Sequence, residues 1–152
     1  MRLPARLLLG ALAVVGALAV VLTFEVDQKL AERLTAETTA GLAREARLVA
    51  SEWTPASNAE SLAVRAGDAS GHRLTLIDST GRVIGDSEFR GAALAQLENH
   101  AARPEVAPAR AEGIGSARRR SPSAGDDELY VAVRVRNGVA RVSMPTLVSR
   151  NL

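Results

Sequence analysis

Three consecutive arginines, Arg118, Arg119 and Arg120, have the residue type and spacing best suited to binding chemistry. A guanidinium group donates two parallel hydrogen bonds to a carboxylate or a phosphate, so such a cluster can hold an anion. Alternate side chains of a β-strand point to opposite faces, which places Arg118 and Arg120 on one face and Arg119 on the other. Two interpretations stay open: an anion site, or a solvated strand face with Arg119 buried against Asp86 or Glu98.

Tyr130 and His100 complete the candidate ligand-binding set with Arg118 and Arg119. His100 is expected to end a helix, where a partly positive imidazole suits the helix dipole. His72, the other histidine, follows a glycine in a turn and is expected to be solvated.

A divalent metal is an alternative use of Glu98, His100 and Glu105. No His-x3-His spacing or ladder of carboxylates supports it, so we expect neither a metal nor a cofactor. The favoured interpretation is a helix junction in which Arg103 pairs with Glu98 or Glu105.

We identify no catalytic residues in the 152 residues. No serine stands in a Gly-x-Ser-x-Gly elbow, and residues 113–116 lack the lysine and helix that follow a phosphate loop. Residues 126–128 lack the spacing of a calcium loop and are expected to form a solvated acidic turn. Without cysteine the chain forms no disulfide, thiolate nucleophile or cysteine metal site.

The composition also indicates whether the chain binds nucleic acid and which residue types form its core. The net charge is only +2, and no basic stretch is interleaved with aromatic residues, so nucleic-acid binding is not expected. Aromatic residues make up 3% of the chain, which predicts a core of alanine, valine and leucine.

Residues 7–24 carry no charge, and as a helix they would span about 27 Å, close to the thickness of the bilayer hydrocarbon. Arg2 and Arg6 precede this stretch, while Glu25 and Asp27 follow it. The positive-inside rule therefore predicts a cytoplasmic N-terminus and an extracytoplasmic remainder, anchored in the cell inner membrane.

A cleaved signal peptide is the rival interpretation of this stretch, because residues 17–19 offer an A-x-A site. Residues 20–22 continue the apolar run, and a helical pattern follows without a turn residue. These features favour a retained anchor.

Residues 25–53 have apolar residues at helical spacing, which form one stripe. Thr38 and Gly41 interrupt the heptad repeat that a regular coiled coil requires. We interpret them both as a signalling helix that pairs with its copy in a dimer and as a helix that packs on a sheet. Shorter helices are predicted at residues 59–65, 91–100 and 104–111.

Two hairpins are predicted from turn chemistry. Residues 73–78 and 82–86 flank a turn in which Asp78 accepts backbone N–H groups and Gly81 supplies a positive φ. Further strands are predicted at residues 116–121, 129–136 and 139–144, the last two joined by a two-residue turn at Asn137 and Gly138. Alternation predicts that Val131, Val133 and Val135 face a core while Ala132, Arg134 and Arg136 face solvent. The fold class is therefore α+β, with an antiparallel sheet and short helices.

An ordered series of motifs resembles a known family. The series comprises residues 74–87, residues 98–100 and 103–106, residues 113–116 with Arg119 and Ser121, residues 129–133, and residues 138–142. In this order it resembles the PAS-like (Cache-like) periplasmic sensor region of phosphate-regulon-type sensor histidine kinases, over residues 7–145. Arg134 and residues 122–124 depart from the family pattern at strand ends. The motif positions we assign a structural role are Asp78, Gly81, Asp86, Glu98, Asn99, Arg103, Asn137 and Gly138.

The resemblance implies an extracytoplasmic input module of a two-component kinase. Such kinases continue into a second membrane helix, a HAMP or PAS linker, a phosphoacceptor-histidine helix pair and an ATP-binding domain. The sequence ends at Leu152 before these parts, so a truncated copy or a fragment is expected. The implied partners are the membrane, a second copy of the chain and, through the missing kinase core, a response regulator.

The expected organisation is a cytoplasmic N-terminus (1–6), a membrane helix (7–24), a signalling helix (25–53), a PAS-like sensor domain (54–145) and a juxtamembrane tail (146–152). A membrane-anchored periplasmic binding protein without a kinase is the alternative function. An exported soluble protein is a third possibility.

Overall fold

The computed structural model describes residues 3–122 and 125–146. Within these, the chain forms four helices and five strands. In chain order they are α1 (Leu3–Glu52), α2 (Ala59–Ser70), β1 (Arg73–Asp78), β2 (Val83–Asp86), α3 (Gly91–Ala95), α4 (Val106–Glu112), β3 (Ile114–Arg120), β4 (Asp127–Val135) and β5 (Gly138–Pro145).

The chain divides into two compact units, Met1–Thr38 and Thr39–Leu152. The first consists of the N-terminal part of α1, whose described apolar side chains, such as Leu12, Leu18 and Val20, are exposed. By length and composition α1 is able to cross a membrane. The predicted apolar helix is therefore present.

The second unit is built on one antiparallel sheet with the strand order β2-β1-β5-β4-β3. β1 pairs with both β2 and β5, and β4 pairs with both β5 and β3. This arrangement confirms the predicted α+β class and places β1, β5 and β4 in the interior of the sheet.

The first face of the sheet is apolar and is covered by the end of α1 and by α2. Asn58 caps α2 by accepting the N–H of Ser61, and Gly71 ends it with a φ of 73°. The side chains that meet in this core include Leu42, Ala46, Trp53, Leu62, Leu74, Leu76, Val131 and Val142.

The second face is apolar at one end, where α4 and the loop before it cover Ile77, Ala132 and Val139. At the other end it is polar, with Arg73, Thr75, Tyr130, Arg141 and Ser143. The prediction of a solvated face on β4 was therefore wrong at Ala132, which is fully buried because α4 packs over it.

The β1–β2 hairpin confirms the predicted turn. The Asp78 carboxylate accepts the N–H groups of Thr80 at 2.8 Å and Arg82 at 3.0 Å, and Gly81 has a φ of 91°. Burial alone would raise the pKa of Asp78, but the hydrogen bonds from Thr80 and Arg82 outweigh it and lower the pKa.

The segment after β2 differs from the prediction, because α3 ends at Ala95 rather than continuing to residue 100. The chain instead turns to meet the β1–β2 turn. The N–H of His100 donates to the carbonyl of Gly81 at 2.8 Å, and the amide of Asn99 donates to the carbonyl of Thr80 at 3.0 Å. These tertiary bonds replace the helical bonds that the local pattern favoured.

The β4–β5 turn is shifted by one residue from its predicted position. Val135 pairs with Gly138, so the two turn residues are Arg136 and Asn137, and Gly138 opens β5. The amide of Asn137 donates to the carbonyl of Trp53 at 2.6 Å. This bond joins the turn to the segment that follows α1.

Candidate functional site

A cleft of about 270 Å³ lies over the polar half of the second face. Its floor comes from β1, β4, β5 and β3, and its wall comes from the segment between β2 and α4. The lining residues are Arg73, Phe89, Leu97, Glu98, His100, Arg103, Arg119, Pro122, Tyr130 and Arg141. Four of these ten are arginines, and one, Glu98, is acidic.

Glu105, which precedes α4, is the anchor of two of these arginines. Its side chain is fully buried, and Oε1 accepts from Nη2 of Arg119 at 2.9 Å and from Nη1 of Arg141 at 3.0 Å. Burial by itself would raise the pKa of Glu105, but the Arg119 hydrogen bond and the Arg141 charge lower it overall. The carboxylate is therefore ionised at neutral pH.

The Tyr130 ring stacks against the same two arginines. The guanidinium carbon of Arg119 lies 3.8 Å from the ring centroid, and that of Arg141 lies 5.2 Å away. Cation–π attraction of this kind fixes the planes of the guanidinium groups. Burial raises the pKa of the Tyr130 hydroxyl, so the ring stays neutral.

Arg73 is held by a second buried carboxylate, that of Asp86. Nη2 of Arg73 lies 3.1 Å from Oδ2, and Asp86 also accepts from the Thr75 hydroxyl at 2.8 Å. A β-bulge at Ile84 lets Val83 and Asp86, three residues apart, both face the second side of the sheet. Asp86 reaches Arg73 because of this irregularity.

His100 lies in the wall of the cleft and is buried. Its Nδ1 is 2.8 Å from the carbonyl oxygen of Glu98, so the neutral ring donates from Nδ1. Burial and the positive charge of Arg141 lower the His100 pKa to about 4. The expectation of a partly positive imidazole at a helix end was therefore wrong: His100 follows α3 by several residues and is neutral at pH 7.

The structure brings three of the four predicted ligand-binding residues together, since Arg119, Tyr130 and His100 all line the cleft. Arg118 is exposed on the opposite face of β3, as the alternation of a strand requires. Arg119 pairs with Glu105, so the expected partners Asp86 and Glu98 were wrong.

The structure also shows the environments of Arg103 and His72. Arg103 pairs with Glu98, one of the two partners expected for it. His72 is half-buried with Nδ1 2.8 Å from a carboxylate oxygen of Glu45 in α1, so the expectation of a solvated ring was wrong. Among the residues at 3–122 and 125–146, no group of three His, Asp or Glu side chains is placed to hold a metal ion.

Sequence reasoning missed Arg73 and Arg141 as parts of the cleft and missed Glu105 as the partner of Arg119. One signal was available for Arg141: it stands inside an apolar run, between Ala140 and Val142. A charged residue in the middle of such a strand must find a buried partner. Glu105 carries no comparable signal, because it precedes a short helix in a polar segment.

Comparison with known proteins adds no assignment: no family model and no curated protein matches this chain. What the cleft is able to bind follows from the side chains that line it. It offers oriented guanidinium donors, a neutral imidazole and an apolar wall, and it contains no nucleophile paired with a base among the described residues. Guanidinium donors of this kind are able to bind an anion.

The neutral, buried His100 makes the sheet domain sensitive to mild acid. An unfolded histidine takes up a proton below about pH 6.5, whereas His100 in the fold does so only near pH 4, so falling pH favours the unfolded chain. We expect the free energy of unfolding to fall by about 2 kcal/mol between pH 7 and pH 5. Urea titrations followed by fluorescence of Trp53, the single tryptophan, measure this change.

His100→Asn is the matched variant, because its amide can donate to the Glu98 carbonyl without titrating. We expect its stability to change by less than about 0.5 kcal/mol over the same pH range. An equal acid dependence in both proteins would assign the effect to other groups.

Proposed function

We propose that this chain is the membrane-anchored extracytoplasmic input module of a two-component sensor histidine kinase. The observation that carries the proposal is the continuity of α1, one helix of 50 residues. Its N-terminal part is able to cross a membrane. Leu42 and Ala46 in its C-terminal part, and Trp53 directly after it, pack in the core of the sheet domain. The resemblance of residues 7–145 to phosphate-regulon-type kinases supplies the class.

The sheet offers a short route from the cleft to α1. In β5, Arg141 faces the cleft while its neighbours Ala140 and Val142 face the core that includes the end of α1. The His72–Glu45 contact and the Asn137–Trp53 bond add polar links between the sheet and this helix segment. A ligand that favours one of two arrangements of this packing would change the population of α1 positions.

In this proposal the N-terminus is cytoplasmic, the sheet domain lies outside the inner membrane, and two copies pair along α1. Val26, Leu30 and Leu34 support pairing, because they form an exposed apolar stripe at helical spacing. The module passes a change in helix position inward and itself carries out no reaction.

The DNA that follows the Leu152 codon tests the kinase assignment. We expect it to encode a second apolar span and a phosphoacceptor segment of the form H-E-x-x-[TN]P. A stop codon there would instead favour the alternative, a membrane-anchored periplasmic binding protein without a kinase. The mass of the mature N-terminus separates both from an exported soluble protein, which would be trimmed near Ala19.

A further inference from the structure

The geometry points to a ligand class for the cleft: we propose that it binds a small monocarboxylate with a short apolar chain. The carboxylate would meet Arg119, and the chain would lie along Phe89 and Leu97. This proposal gives the input for the function proposed above, but the binding itself depends only on the sheet domain.

The first step is the charge of the lining. Four guanidinium groups line the cleft, and the only carboxylate among its lining residues is Glu98, whose side chain is 69% exposed and pairs with Arg103. The buried carboxylates Asp86 and Glu105 are absent from the lining. Asp86 and Glu88 pair with Arg73, Glu105 pairs with Arg119 and Arg141, and the buried Glu128 lies opposite Arg119 in the β3–β4 register. These carboxylates orient the guanidinium groups from outside the lining.

The second step is the donor capacity of Arg119. Glu105 is shared by Arg119 and Arg141, so one buried anion serves two cations. Arg119 uses Nε and Nη2 for this carboxylate, and within the described ranges its Nη1 has no hydrogen-bond partner. The side chain lines the cleft and is 18% exposed, so part of it is accessible to an anion.

The third step is a buried polar group that neighbours two of the lining residues in the sheet. Ser143 lies between Arg73 and Tyr130 in the sheet register and is buried. Its hydroxyl has no hydrogen-bond partner in the part of the chain that the structure describes. A buried hydroxyl without a partner is costly, and a bound water would satisfy it. Ser143 is not among the residues that line the cleft, so it marks a polar site next to the floor rather than a ligand contact.

The fourth step selects an organic anion over an inorganic one. Phe89 and Leu97 are half-buried on the second core and present apolar surface to the cleft, and Pro122 extends it. A bare phosphate would leave this surface wet, whereas an apolar chain would cover it. The volume of about 270 Å³ is below the usual range for drug-sized ligands, which limits the chain to a few carbons.

Isothermal titration calorimetry of the full chain in detergent tests the proposal, with butanoate as the probe. We expect saturable binding at one site per chain and at least tenfold weaker binding to Arg119→Gln. Arg118→Gln is the matched control, because Arg118 is the neighbouring arginine on the exposed face, and its affinity should stay within twofold. Circular dichroism of each variant reports whether it is folded.

If Arg119→Gln does not fold, a second variant, at Leu97, tests whether butanoate binds in the cleft. Leu97→Trp fills the cleft from its apolar wall without touching the buried ion pairs, and it should weaken butanoate at least tenfold. Butanamide, the uncharged analogue, should not bind. Equal binding of butanoate by the wild type, Arg119→Gln and Leu97→Trp, or no binding by the wild type, overturns the proposal.

Inorganic phosphate separates the two anion classes. We expect it to bind at least tenfold more weakly than butanoate, and stronger phosphate binding that depends on Arg119 would overturn the monocarboxylate assignment. Failure of every titration would leave the DNA test of the kinase unaffected. A missing kinase would in turn leave the titrations unaffected.

Discussion

Glu105→Gln is expected to destabilise the sheet domain by about 4 kcal/mol, because it leaves two arginines without their shared counter-ion. Arg141 is only 3% exposed, so its charge would stay buried without its counter-ion. Burial already lowers the pKa of the Arg141 guanidinium, and Glu105 is the group that opposes this shift most strongly. A loss of this size is a large fraction of the stability of a small domain.

Urea unfolding of the full chain in detergent, followed by Trp53 fluorescence, measures this loss. Glu98→Gln is the control, because that side chain is exposed and its pair with Arg103 is worth no more than about 1 kcal/mol. Adding Arg141→Met to Glu105→Gln should restore part of the stability, since it removes the buried unpaired cation. If Glu105→Gln and Glu98→Gln unfold at the same urea concentration, the central role of Glu105 is wrong.

Gly115→Ala is expected to destabilise the domain by about 3 kcal/mol, through a clash rather than through charge. A Cβ at this position would lie 2.2 Å from the carbonyl oxygen of Glu105 and 2.9 Å from the amide nitrogen of Ala109. Both are backbone atoms, so relief requires α4 and Glu105 to move away from β3. The variant should therefore also loosen the pairing of Glu105 with Arg119.

The control for Gly115→Ala is Ser116→Thr, which adds one methyl group to the next residue of β3 on its exposed face. We expect a change of less than about 0.5 kcal/mol in this control. The same urea titration serves both variants. An unaltered midpoint for Gly115→Ala would mean that α4 does not pack as closely on the sheet as the structure has it.

The elements that sequence reasoning predicted well are those that depend on local chemistry. The Asp78–Gly81 turn forms because a carboxylate next to a glycine can satisfy the backbone by itself. The strands follow from alternation and the apolar helix from its composition. These features required no knowledge of which segments meet in space.

What sequence reasoning missed depends on long-range pairing. The wall of the cleft is not helical beyond Ala95, because His100 and Asn99 bond to the β1–β2 turn. Asp86 lies on the same side of the sheet as Arg73 because of a bulge in β2 that no local sequence pattern predicts. The partner of Arg119 is Glu105, which depends on how α4 lies on β3.

The candidate site was therefore predicted in part. Side chains alternate between the two faces of a strand, so the sequence predicts that Arg119 points away from Arg118 and Arg120. The structure confirms this, because Arg118 and Arg120 are exposed and Arg119 is partly buried. The placement of Tyr130 and His100 beside Arg119 follows from the sheet order and from the tertiary turn at residue 100. Arg73 and Arg141 enter the cleft from strands that are neighbours in the sheet and distant in sequence.

We propose above all that α1 stays in the membrane and holds the sheet domain outside the cytoplasm. The chain has no cysteine, so a single introduced cysteine reports topology without background. Ser79, in the exposed β1–β2 turn, and Ala5, before the apolar stretch, are each replaced by cysteine in separate variants, Ser79→Cys and Ala5→Cys. Both are treated in intact bacterial cells, with the outer membrane made permeable, using a maleimide that does not cross the inner membrane.

We expect the Ser79→Cys protein to be labelled in intact cells and to sediment with the membrane fraction at its full mass. The Ala5→Cys protein should be labelled only after lysis. Labelling of Ser79→Cys only after lysis, or its recovery as a soluble protein trimmed near Ala19, would contradict the account.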